Sequence, residues 1–176
     1  MHKSTLLIAT ALASLATGAV AQSPYAGQQA RPIKALSDQQ VADLRAGRGM
    51  GMALPAELNG YPGPLHVLEL ADRLGLTEAQ RSAVQSQFAA MKAESIAIGE
   101  RLIEREAALD RLFAGRTATE QNVAAASAAV AETQGELRAA HLKYHLSTVA
   151  LLQPEQVARY GELRGYGDSP MQHRHR

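Results

Sequence analysis

The sequence predicts an all-α protein: a long antiparallel helical hairpin with short flanking helices. Three observations carry this expectation. Apolar residues recur at alternating steps of four and three along two long stretches, and a short turn at Gly115 joins them. Aromatic residues are only 4% of the chain, with no tryptophan, while alanine is abundant, so small side chains must fill a close helix–helix seam.

Residues 1–21 read as a secretory signal peptide. A polar start (Met1, His2, Lys3) precedes an apolar run from Leu6 to Ala16, too short to span a membrane, and Ala19 and Ala21 frame an Ala-x-Ala cleavage site. Cleavage there removes Lys3, one of 18 basic residues against 17 acidic, and leaves the mature chain formally neutral. A neutral chain without a basic block argues against nucleic acid and against attraction to anionic membrane. The absence of cysteine excludes a disulfide framework and a thiolate metal site.

Residues 22–64 form an N-terminal region. Gln22 to Leu36, with Pro24 and Pro32, lacks an apolar period and reads as an arm. Ser37 and Gln40 make a capping box for a short helix ending near Gly47. A loop rich in glycine and proline follows to Pro64, carrying Met50 and Met52.

Residues 65–166 hold the hairpin. Pro64 suits the first position of a helix over Leu65–Leu74, which Gly75 ends. Thr77 and Gln80 form the next capping box. Behind it, Val84, Phe88, Met91, Ser95, Ile98, Leu102, Arg105, Leu109 and Leu112 make a coiled-coil-like stripe. Gly115 breaks this helix, and Thr117 with Glu120 reads as the capping box of the return helix. Its stripe is Val123, Ser127, Val130, Gln134, Leu137, His141, Tyr144, Thr148 and Leu151. Arms of about 35 residues reach roughly 50–55 Å. Pro154 stops the return helix and starts a last short one, and residues 167–176 form a tail with His173 and His175.

Folding at Gly115 sets Thr77 beside Gln153, so Leu76, Thr77 and Gln80 meet Leu152, Gln153, Pro154 and Gln156 at one end of the hairpin. On these residues the chain from about Leu65 to Tyr166 resembles the LTxxQ family. That family comprises periplasmic proteins including the Spy and CpxP envelope-stress proteins and their heavy-metal-resistance relatives. The resemblance implies a periplasmic homodimer, shaped as a thin curved cradle, that holds unfolded or stress-damaged clients without ATP or meets a signalling partner. The second motif carries Gln153 where the family has threonine, a departure expected to weaken the helix cap and leave the hairpin intact.

His141 and His145, four residues apart, present two imidazoles on one helix face. A bend at Gly75 carries His66 to the same level, with Glu69 one turn on as a fourth candidate ligand. Three nitrogens and an oxygen suit zinc, nickel, cobalt or copper, although no cofactor is required and packing histidines explain the same spacing. Met50 and Met52 are thioether candidates for cuprous ion, more simply read as loop residues seated on apolar surface. The tail histidines His173 and His175 read as solvated.

Leu142 follows His141 where a zincin has its glutamate base, and no phosphate loop, nucleophile elbow or haem-attachment motif is present. The expectation is therefore no enzyme. A mixed-charge run from Glu100 to Arg111 reads as a solvated face on which Arg101 and Glu104 can pair. Three functions remain: an ATP-independent chaperone, a heavy-metal binder or sensor using His66, His141 and His145, and a purely structural assembly protein.

Overall fold

A computed structural model describes residues 24–166. The described residues are helical with no strand, and none of their helices is long and apolar enough to cross a membrane. A single 3-10 turn at Gln28–Ala30 precedes α1 (Asp38–Arg45), α2 (Leu54–Glu57), α3 (Pro64–Glu69), α4 (Glu78–Ala114), α5 (Glu120–Val149) and α6 (Pro154–Arg164). The frame is the α4–α5 hairpin, whose 37 and 30 residues extend about 55 and 45 Å at 1.5 Å per residue.

α1, α4 and α5 each begin where a capping box satisfies their first free N–H groups. The Ser37 and Thr77 hydroxyls accept from the backbone of Gln40 and Gln80, whose amide oxygens accept in return. The return helix starts two residues later than expected. Its N-cap is Thr119, boxed with Asn122, because Thr117 serves the preceding helix: its N–H donates to Leu112 O at 2.9 Å. Gly115 is the C-cap of α4, but it stays right-handed, and Arg116 takes the left-handed conformation at φ 52°.

The stripe expected on α4 is the one that packs. Val84, Met91, Ser95, Ile98 and Leu102 are buried, and Phe88, Arg105, Leu109 and Leu112 are partly buried. On α5 the seam is displaced in the middle: Gln134 and Ser127 are exposed, whereas Thr133 and Ala140 are buried. Thr133 tolerates burial because its hydroxyl donates to its own helix at Ala129 O, 2.9 Å away, whereas a buried glutamine needs several partners.

Two apolar clusters lie along the hairpin. One joins Leu44, Ile98, Leu102, Ile103, Val130, Leu137 and Ala140; the other joins Val67, Leu74, Val84, Leu152 and Tyr160. The stretch that reads as an arm contributes to the first, since Ile33 and Leu36 pack on it and Lys34 N–H donates to Asp110 at 3.1 Å. Met52 seats there as well. The helix expected over Leu65–Leu74 ends at Glu69, and tight turns carry the chain to Gly75, left-handed at φ 63°. Arg101 reaches across the hairpin to Glu136 rather than pairing with Glu104.

A cavity between the two clusters

Phe88, Met91 and Ser95 on α4 face the level of His141, His145 and Thr148 on α5, between the two apolar clusters. Over this gap the chain from Gly47 to Pro64 folds down, and an open cavity of about 630 Å³ remains. That volume falls in the range of small-molecule sites. His66, His141 and His145 all line it.

Each imidazole is oriented through Nδ1. His141 Nδ1 lies 2.9 Å from Leu137 O and His145 Nδ1 lies 2.6 Å from Tyr61 O. A carbonyl only accepts, so both Nδ1 atoms carry the proton and both Nε2 atoms keep a lone pair when the ring is neutral. His66 Nδ1 lies 2.8 Å from the Glu69 carboxylate, which imposes the same tautomer. Glu69, more than half exposed, thus sits against Nδ1 of His66 as an orienting partner.

The loop's approach depends on a missing side chain. A methyl group at Gly63 would stand 2.7 Å from Cε1 of His145 and 2.8 Å from Nε2. Glycine there lets the backbone lie against the ring and brings the Tyr61 carbonyl into hydrogen-bond range. Met50 lines the cavity mouth in a left-handed conformation, φ 43°.

The charged centre of the wall is Glu57 on α2. It is buried, yet its Oε1 accepts from the Tyr160 hydroxyl, from Tyr166 at 3.2 Å, and faces Arg164 Nε at 3.5 Å. Burial and the neighbouring Glu57 carboxylate push the Tyr160 phenol far above its ordinary range, so it remains a donor. Glu57 Oε2 is 3.8 Å from His145 Nδ1 and has no hydrogen-bond partner. His141 Nε2 is likewise buried without one.

Glu57 carried no sequence signal beyond its place in a glycine- and proline-rich loop. Its partners lie about a hundred residues away. Among the described residues no group of three or more histidine and acidic side chains gathers closely enough to hold a metal ion. The tail histidines His173 and His175 and the leader lie outside the described residues.

The starts of α4 and α6 form a separate structure at the hairpin's open end. Gln80 Nε2 donates to Leu151 O at 2.9 Å and to Gln156 Oε1 at 2.8 Å; Gln156 Nε2 reaches Leu74 O at 3.3 Å. Gln153 N–H donates to Gln156 Oε1 at 2.9 Å, so the return half of a capping box is present at the start of α6. No known family model, curated protein or solved structure matches the chain.

Proposed function

We propose that the protein is a non-enzymatic, periplasmic binding protein of the LTxxQ kind, which holds apolar segments of unfolded or stress-damaged proteins without ATP. The observation that carries this reading is the exposed apolar rim on one side of a thin hairpin. Met50, Leu54 and Leu65 surround the cavity while remaining 43%, 53% and 40% exposed, and Leu58 and Tyr61 extend the apolar surface along the same loop. Pairing of two copies into a cradle follows from the family resemblance, since closed two-fold pairing is the commonest way to cover such surface.

The purified protein should slow aggregation of an unrelated denatured protein in the absence of nucleotide. Leu54→Lys combined with Leu65→Lys should abolish that effect without changing helicity. No suppression at a several-fold molar excess defeats the reading, and sedimentation showing only monomer at micromolar concentration removes the dimer.

A second reading, a heavy-metal binder or sensor, is favoured by the Nδ1 tautomers of His66, His141 and His145, which match those of metal-ligating imidazoles. The side chains as placed do not fit a shared ion, because no three of them are grouped and Glu69 already bonds His66. Calorimetric titration with zinc, nickel, cobalt and copper decides this, with saturable binding lost in both His66→Ala and His145→Ala as the outcome that would restore it.

A further inference from the structure

The charges on the cavity wall do not balance. Arg48, Lys92 and Arg164 line it against a single carboxylate, Glu57. Glu57 is buried and faces Arg164 Nε at 3.5 Å, while Arg48 is held by Asp43 through Nη1. His66 is engaged with Glu69. Lys92 has no such counter-charge: it meets no carboxylate among the described residues, and the side chains three and four positions away, Phe88, Ala89, Ser95 and Ile96, are uncharged. Lys92 and Arg48 are also exposed, so a ligand can reach both, whereas Glu57 Oε2 and His141 Nε2 are closed off.

Packing sets these two cations together at the edge of an apolar floor. Phe88, Met91 and Lys92 are spaced i, i+3 and i+4 on one face of α4, with Lys92 about 6 Å from Phe88 along the axis. A methyl group at Gly47 would stand 3.0 Å from Lys92 O and 3.5 Å from Lys92 Cγ, so the chain leaving α1 lies on the Lys92 stem and sets Arg48, the next residue, beside it. Leu54 and Leu65, 53% and 40% exposed, extend the apolar surface to the rim. We propose that this cavity binds a medium-chain alkanoate, with its carboxylate on Lys92 and Arg48 and its chain along Met91 and Phe88 towards Leu54 and Leu65. Burial of the chain supplies most of the affinity, about tenfold for two methylenes, because an ion pair at an exposed mouth adds only about fivefold. A cationic amphiphile is repelled by the uncompensated Lys92, and a small inorganic anion gains nothing from the apolar floor. The inference stands on the cavity and does not depend on client binding.

The test is calorimetric titration of the full chain with decanoate, 1-decanol and decylammonium, alongside the methionine methyl signals by NMR. Decanoate should bind saturably and shift the Met50 and Met91 methyl resonances, both on the cavity wall. 1-Decanol should bind about fivefold more weakly and decylammonium more weakly still. Octanoate, decanoate and dodecanoate should tighten roughly tenfold at each step, the contribution of two buried methylenes. Lys92→Gln, at an exposed position, should weaken decanoate about fivefold and erase its advantage over 1-decanol, and Arg48→Gln should act in the same direction. Lys143→Gln, which removes a lysine paired with Glu94 outside the cavity, should leave the affinity unchanged. Equal affinity for the three probes, no saturation at millimolar concentration, no dependence on chain length, or the same loss in Lys143→Gln as in Lys92→Gln overturns the proposal. Alkanoate binding without aggregation suppression would remove the client reading alone, and suppression without alkanoate binding would remove this one alone.

Discussion

Gln80 and Gln156, 76 positions apart, are hydrogen-bonded to one another in both directions: Gln80 Nε2 to Gln156 Oε1 at 2.8 Å and Gln156 Nε2 to Gln80 Oε1 at 3.2 Å. Each oxygen also accepts the N-cap N–H of its own helix, from Thr77 at 3.0 Å and Gln153 at 2.9 Å, so neither amide can turn over. The pair therefore joins the starts of α4 and α6 and shuts the open end of the hairpin.

Gln80→Ala and Gln156→Ala should each destabilise the protein by about 1–2 kcal/mol, since each removes a cap bond and a cross-helix bond. The double variant should lose less than the two losses combined, because they share one interaction. Urea unfolding of the three variants checks this, and full additivity would show the amides acting separately.

Glu106 lies in the α4 seam region, only 8% exposed, and burial raises its carboxyl pKa. The folded state therefore holds that proton more tightly than the unfolded chain, so Glu106 opposes folding at neutral pH, an opposition that fades as pH falls below its raised folded value and ends below the unfolded one. Glu106→Gln should raise Tm at pH 7 by a few degrees, and the gain should shrink in acid. Thermal unfolding at pH 7 and pH 4 measures the difference.

Gly99 lets α1 approach α4. A methyl group there would stand 2.7 Å from the backbone oxygen of Leu44, which cannot swing aside. Gly99→Ala should displace α1 and raise amide exchange through Asp38–Arg45 while α4 and α5 stay protected. Gly135→Ala is the control: nothing lies within 4 Å of its added carbon, and the exposed helix should gain roughly 0.5–1 kcal/mol.

Tyr160→Phe removes the buried hydroxyl that donates to Glu57 and should cost about 1–3 kcal/mol. Glu57→Gln in that background should recover part of the loss, because a neutral amide needs less compensation than an underbonded carboxylate. Recovery, or its absence, is read from chemical denaturation.

What the sequence by itself determined is what repeats along the chain or acts within a turn. The α4 stripe from Val84 to Leu112 was legible because helical geometry alone puts those residues on one side, and the Thr77–Gln80 cap because both partners lie three residues apart. The hairpin followed. Tertiary structure decided the rest. Which side of α5 meets α4 near Thr133 and Gln134 depends on how two helices cross, since neighbouring residues differ by about 100° around the axis and packing selects between them. Thr117 and Thr119 are equivalent as capping residues until the end of α4 claims one of them. Glu57 became the charged centre of the cavity only when the loop docked against Tyr160, Arg164 and His145, and Glu69 took its place at His66 Nδ1 only through the orientation of that ring. Burial of a polar group is a property of the elements that close over it, and no local spacing records which elements those will be.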